Sequence, residues 1–237
     1  AGDKIIGRGD YVDYPQEVDS IKKVGSGENL NIEEVIALEP EVLVMGMMSQ
    51  TEDQVKKLED AGITVVSTDA NSLEEIYKNI ELLGKLTDKD DEAKALVEDM
   101  KSVFDEYKEK ANEIGETHSV YYEISPLEFD LWTGGKNTFF DELGEIVGLE
   151  NIFNDVEGWS VVSEEEVINR NPEFIITSSY PSGDIAPEDE IMSRENWKGI
   201  DAVANSKVFS VDNDEFTRPG PRLRNAVKVL FENVYGE

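Results

Sequence analysis

Ile32-Glu33-Glu34-Val35-Ile36-Ala37-Leu38-Glu39-Pro40-Glu41-Val42-Leu43-Val44 and Glu164-Glu165-Glu166-Val167-Ile168-Asn169-Arg170-Asn171-Pro172-Glu173-Phe174-Ile175-Ile176 are two versions of one unit. The offset between them is constant, so that Pro40 aligns with Pro172. Each version predicts a short helix, a proline that stops it, and then a buried strand, because proline has no amide hydrogen to continue the helical ladder. The helix starts carry capping signals: Asn31 with Glu34 three residues on, and Ser163 with Glu166. A duplicated supersecondary unit at this distance divides a chain into two similar halves.

A second echo follows each copy. Thr64-Val65-Val66-Ser67-Thr68-Asp69 resembles Lys207-Val208-Phe209-Ser210-Val211-Asp212, an apolar strand that runs into an aspartate. In the first half a helix from about Thr51 to Asp60 leads to it through Ala61-Gly62. Strand, helix and strand at this spacing make a βαβ unit, so each half is expected to hold a small, mainly parallel sheet flanked by helices. Between the halves, from Ser72 to about Glu116, there is no strand signal. Leu96, Met100, Val103, Phe104 and Tyr107 recur at three- and four-residue steps and predict a helical stripe. Asp88 to Asp91 reads as a break before that helix and Gly115 as its end. The fold class is therefore α/β, with two lobes joined by one long helix: an N-terminal lobe over 1–87, an interlobe helix over 88–116 and a C-terminal lobe over 117–237. A cleft between such lobes is a common place for a ligand.

Composition removes many functions. Acidic residues outnumber basic ones 53 to 22, a net charge of -31, which repels nucleic-acid phosphates and anionic lipid surfaces. That acidity also reads simply as a coat that keeps the protein dispersed. There is no cysteine, hence no disulfide, thiolate metal site or thiol nucleophile. The single histidine, His118, precedes the apolar run Ser119-Val120-Tyr121-Tyr122 and reads as structural at a strand start. No Asp-x-Asp-x-Asp-Gly loop gathers the oxygens that a hard cation needs, and Gly134-Gly135-Lys136 lacks the context of a phosphate loop. No stretch approaches the roughly 18 apolar residues of a spanning helix. Ala1-Gly2-Asp3-Lys4 runs into the chain with no apolar h-region, so no signal sequence is expected in it. No metal, cofactor or catalytic residue is expected.

Several segments together resemble one family. Asp10-Tyr11-Val12-Asp13-Tyr14-Pro15, Val24-Gly25 and Asn29 through Glu41 are similar to the N-lobe of the substrate-binding proteins for vitamin B12 and iron siderophores. Leu131 through Phe140, Gly148-Leu149-Glu150-Asn151-Ile152-Phe153, Trp159 through Ile168, and Asp214 through Arg222 with an amphipathic helix to about Tyr235 resemble its C-lobe. The resemblance covers nearly the whole chain, and the order and spacing of the motifs carry it. It implies a two-lobed, monomeric binder on one rigid helix, located in the periplasm or lipid-anchored at the cell surface. Such a binder delivers a small molecule to the transmembrane permease of an ABC importer and is not an enzyme. Family members begin with a strand and helix ahead of the segment that opens here. Ile5-Ile6-Gly7 resembles their second strand, so the first βα unit is expected to be missing.

The resemblance also assigns residues. Glu33 and Glu165, equivalent within the repeat, match the glutamates that pair with permease arginines, one per lobe. Carboxylates in a first helical turn also complement the helix dipole, worth roughly 0.3–1 kcal/mol, and Glu34, Glu164 and Glu166 would serve that purpose equally. Trp159 follows Glu157-Gly158 in an expected loop before the C-lobe repeat helix, and by resemblance faces the cleft. A flat indole there can cover an apolar macrocycle or catecholate ring. Tyr11 approaches from the N-lobe by the same logic, while Tyr14 reads as a packing residue beside Pro15. Trp132 borders the cleft, Gly134-Gly135 is a tight turn, and Phe139 belongs to the core of the next helix. Asp214, Phe216 and Arg218 lie in the expected loop before the final helix. Arg218 is the candidate for an anionic ligand group, whereas Arg222 and Arg224 read as ion-pair partners of nearby carboxylates.

Among the family's ligands, the Asp-Tyr-x-Asp-Tyr-Pro opening and the Trp159 context resemble the corrinoid branch best. Against it, positions where B12 binders often place tryptophan are Gly27 and Gly46. Siderophore binders bring several arginines into the cleft, and only Arg218 and Arg8 are at hand. Haem binders place a tyrosine after the Val-Gly pair, where Ser26 stands. A corrinoid ranks first, a ferric siderophore second and haem third. Two rivals of other classes are a metal-dependent enzyme and an acidic structural surface protein.

Overall fold

Both copies of the repeat fold as a capped helix followed by a strand. The computed structural model describes residues 1–46, 52–181 and 184–236, and the chain divides into two compact units, Ala1–Asp69 with Glu81–Ala93, and Ala70–Ile80 with Lys94–Glu237. In the first unit Asn31 Oδ1 accepts the Glu34 amide at 3.1 Å and starts α1 (Ile32–Ala37), after which Pro40 leads into β1 (Val42–Met45). Helix α2 (Glu52–Asp60) leads to β2 (Thr64–Ser67); its expected start at Thr51 lies outside the described residues. β1 and β2 run parallel, with Val42 opposite Thr64. Their core is small: Val24, Val35, Leu58 and Ile63 are buried, with Leu30, Leu43 and Val65 packed against them.

The first unit differs from expectation at its start. Residues 5–7 form no strand; only Arg8 bridges to Lys23, in parallel sense, and Ile5 and Ile6 stay exposed. The Arg8 guanidinium is instead buried, donating to the carbonyls of Ile21 and Val12 and to Asp19. Tyr14 is exposed rather than packed, within a segment, residues 10–17, that is exposed throughout.

Helix α3 (Leu73–Thr87) is broken at Asp88, whose φ of 58° leaves the helical region, and α4 (Asp90–Ile114) follows. Gly115, at φ 70°, closes it with its amide on the Ala111 carbonyl. The stripe of α4 is shifted from the one expected: Val97, Met100, Phe104 and Ala111 are buried, while Leu96 and Val103 are half-buried.

In the second unit β3 (His118–Glu123) heads a parallel sheet. Along the chain follow β4 (Leu131–Gly134), α5 (Phe139–Ile146), β5 (Leu149–Asn151), β6 (Trp159–Val162), α6 (Glu164–Arg170) and β7 (Phe174–Thr177). The chain ends with α7 (Pro187–Ser193), α8 (Asp201–Ala204), β8 (Val208–Ser210), α9 (Asn213–Thr217) and α10 (Leu223–Tyr235). The sheet order is β5-β3-β7-β8, parallel throughout. β7 beside β8 thus repeats β1 beside β2. Such strands are buried on both faces, which is why they read as unbroken apolar runs. Val120, Tyr122, Phe174 and Ile176 enter one core with Phe140, Phe216 and Leu230, whereas Tyr121 and Ile175 enter the other with Phe153, Val167 and Trp197. Ser163 forms a full capping box with Glu166 at the start of α6.

Candidate functional site

The second unit carries an exposed aromatic surface on a two-stranded ribbon. β4 and β6 pair antiparallel, with Leu131 opposite Val162, Trp132 opposite Val161, Thr133 opposite Ser160 and Gly134 opposite Trp159. Side chains alternate across a strand, so these pairs sort into two faces. Leu131, Thr133 and Val162 are buried, while Trp132 (43% exposed), Val161 (47%) and Trp159 (36%) face solvent together. Trp159 therefore opens a strand rather than lying in a loop. The β-branched Val161 and Val162 favour extension, and Leu131 and Trp132 supply the partner. Gly134 ends β4 and Gly135 follows it, with its amide on the Gly158 carbonyl at 2.8 Å, so the pair continues the strand rather than forming a tight turn. A Cβ on Gly135 would sit 2.1 Å from the Val156 carbonyl oxygen, and one on Gly134 would sit 3.1 Å from the Trp159 ring. Both glycines serve close approach.

The Trp159 indole is fixed on several sides. It meets Phe139 at 5.3 Å and Phe140 at 5.2 Å, both edge-on, and its Nε1 donates to Asn71 Oδ1 at 2.9 Å. Phe139 starts α5 and is buried, as expected. Beneath Phe140, at 4.6 Å and 82°, lies Phe216, which is buried also against Tyr122. Phe216 thus stands under the aromatic surface rather than on it.

Asp214, Phe216 and Arg218 belong to a short helix with its end, not to a loop, because Asp212 accepts the Glu215 amide at 2.9 Å and caps α9. Arg218 donates from Nε to Asp214 at 2.8 Å, one helical turn away. The structure thus joins Trp159 to Phe216 through Phe140, leaves Trp132 beside them only as a residue on the same exposed face of the ribbon as Trp159, and puts the Asp214–Arg218 pair on the helix that carries Phe216. Arg224 pairs with Asp99, as expected of it. Tyr11, in the first unit, is 76% exposed.

Glu33 and Glu165 stand exposed in the first turns of α1 and α6. Their neighbours are occupied: Glu34 pairs with Lys22, Glu164 accepts from Trp197 Nε1 at 3.0 Å, and Glu166 closes the capping box. Among the described residues Glu33 and Glu165 have no hydrogen-bond or ion-pair partner, so they are the carboxylates each helix start leaves available.

Other groups were missed from sequence. Leu127 and Phe129, on the turn before β4, are exposed, Phe129 by 67%. At the carboxyl end of β7, Tyr180 is exposed and donates to Asn213 Oδ1 at 2.9 Å, while the buried Ser178 and Ser179 hydroxyls have no hydrogen-bond partner among the described residues. The carboxyl ends of parallel strands are where ligands of open α/β sheets collect, and that rule could have drawn attention to Ser178-Ser179-Tyr180. Nearby in sequence, Arg194 grips the buried Glu123 through two 2.8 Å bonds and lies 4.3 Å over Trp197. Burial raises the Glu123 carboxyl, and the guanidinium opposes that rise. Among the described residues no group of His, Asp and Glu is arranged to hold a metal ion, and no helix is long and apolar enough to cross a membrane.

Residues 1–215 match the family model described as periplasmic binding protein. The chain belongs to that family. It is 38% identical over 239 residues to an uncharacterized ABC transporter substrate-binding lipoprotein of Bacillus subtilis, covering 99% of this chain and 74% of that one. A vitamin B12-binding protein of Vibrio parahaemolyticus is 30% identical over 234 residues, covering 98% of this chain and 82% of that protein. A solved structure described as a possible iron-binding, periplasmic solute-binding protein from Staphylococcus epidermidis has a TM-score of 0.80 and 31% identity, over 99% of this chain and 92% of that one. This periplasmic binding protein is accordingly the substrate-binding component of an ABC transporter, not an enzyme, and its relatives are periplasmic or lipoproteins. Its α/β fold of small parallel sheets flanked by helices is the family's.

Proposed function

We propose that this binding protein captures a corrinoid and delivers it to the permease of an ABC importer on the extracytoplasmic side of the membrane, as a monomer. The observation that carries this reading is the solvent-facing row of Trp132, Val161 and Trp159 on one face of the β4–β6 ribbon. A large, flat, mostly uncharged macrocycle buries such a surface well, and rigid aromatic anchors lose little entropy on contact. The vitamin B12-binding relative supports the same choice. The state of the arginines supports it further: Arg8, Arg170, Arg194, Arg218 and Arg224 are each paired with a carboxylate, which leaves little guanidinium for an anionic ferric siderophore. Tyr11, Asp214 and Arg218 are proposed as further ligand contacts.

Glu33 and Glu165, as the unengaged carboxylates of the two repeat helices, dock on permease arginines. A ferric siderophore is the second reading, favoured by likeness to the possible iron-binding protein; haem ranks third.

Titrating cyanocobalamin into the protein tests the proposal. It quenches tryptophan fluorescence and raises the melting temperature, and Trp159→Ala weakens binding by about 30-fold, the scale of a hot-spot aromatic. A wild-type protein indifferent to cyanocobalamin in both signals would overturn the reading.

A further inference from the structure

Trp159 is held by its single polar atom as well as by its ring. Phe139 and Phe140 meet the indole edge-on and restrict its tilt. Edge contacts leave rotation of the indole within its own plane poorly determined, and the hydrogen bond from Nε1 to Asn71 Oδ1 removes that freedom. Asn71 is suited to this because its own backbone is tied down. Its amide donates to the Glu75 carboxylate at 2.7 Å, Ser72 Oγ accepts the Glu75 amide at 3.3 Å, and the Leu73 amide donates to Glu142 at 2.6 Å. Three hydrogen bonds thus fix the start of α3, and the Asn71 side chain beside it reaches an indole 88 residues away in sequence.

We infer that Asn71 is the positioning residue for the ligand-facing indole: it presets the orientation of Trp159 without itself touching the ligand. This rests on the reading that Trp159 contacts the ligand. A water-exposed hydrogen bond adds little to stability; its consequence is preorganisation, since an anchor already in its bound orientation loses less freedom on binding. Nothing else at the start of α3 requires an amide side chain at this position, because the amides of Asn71, Leu73 and Glu75 are satisfied by Glu75, Glu142 and Ser72.

The indole N–H signals in a nitrogen-15 NMR spectrum test this. The chain has three tryptophans, and Trp159→Phe identifies the signal that belongs to Trp159. Asn71→Ala shifts that signal and speeds its exchange with water, leaving those of Trp132 and Trp197 in place, and weakens cyanocobalamin binding by about three- to tenfold. Asn71→Asp keeps an acceptor oxygen and restores both. An unmoved Trp159 signal in Asn71→Ala, or an Asn71→Asp protein as weak as Asn71→Ala, would overturn the inference. Failure of the underlying reading shows separately, as a Trp159→Ala protein that binds cyanocobalamin like wild type.

Discussion

The ring of Phe140 stands at 87° to the indole of Trp159, with the centroids 5.2 Å apart. Its other ring contacts are Phe139, Phe216 and Tyr122, all buried, so an exposed aromatic is rooted in the main core of the second unit. Ligand contact and stability are coupled at this point. Phe140→Ala opens a cavity between Trp159 and Phe216 and costs about 3–5 kcal/mol in urea unfolding. Phe140→Leu, which refills most of it, costs less and leaves cyanocobalamin affinity reduced rather than lost. A Phe140→Ala protein of wild-type stability would show that the stack carries no weight.

The two repeat glutamates separate docking from capture. Glu33→Ala combined with Glu165→Ala leaves cyanocobalamin affinity unchanged and lowers the melting temperature only by the small helix-dipole contribution, because neither carboxylate has a partner among the described residues. Uptake by the reconstituted transporter falls to background. Glu34→Ala with Glu166→Ala is the control: it removes the Lys22 pair and the capping box, lowers stability by about 1 kcal/mol, and spares uptake. Loss of ligand affinity in the first pair would assign those residues to the ligand instead.

Arg194 and Glu123 form a buried ion pair that Glu190 extends, with Arg194 Nε 3.1 Å from Glu190. Burial works to lower the Arg194 value, and the hydrogen bonds to Glu123 and Glu190 outweigh it and hold the cation charged. Glu123→Ala leaves that cation buried with one carboxylate and costs about 3 kcal/mol. Replacing Glu123 and Arg194 together by Leu and Met costs less than Glu123→Ala alone. Urea midpoints of the three proteins decide the order.

Glu142 gives the protein a pH dependence of definite sign. Burial pushes its carboxyl up, the Leu73 amide opposes this, and the charges of Glu145 and Asp141 add to the rise. The folded state therefore holds the proton more tightly than the unfolded chain. The resulting stability is fully present below the ordinary value of 4.5 and is lost as pH rises through the raised folded value. Glu142→Gln keeps an acceptor for the Leu73 amide, so its stability relative to wild type grows between about pH 4 and pH 7. The same difference at both ends would contradict the assignment.

The repeat helices, their caps and the strands after them were legible because each signal is local: Asn31 and Glu34, or Ser163 and Glu166, lie three residues apart. The break at Asp88 and the end at Gly115 were legible for the same reason. Pairings across the sequence were not. Trp159 reads as a loop residue until its partner Gly134, in a strand of only four residues, is known. The Asp212 cap turned an expected loop into α9 and took Phe216 inward. Exposure in turns is equally hidden: nothing in Pro126-Leu127-Glu128-Phe129 distinguishes an outward Phe129 from a buried one, and Tyr14 beside Pro15 misled in the opposite direction. Glu33 and Glu165 came from resemblance, and their lack of partners among the described residues is what the structure adds.

Native mass spectrometry of the protein mixed with cyanocobalamin, a ferric catecholate siderophore and haem in equal amounts tests the central claim most directly. The expected result is a one-to-one complex at the mass of the corrinoid, lost in Trp159→Ala. A complex with the siderophore or haem in its place would contradict it.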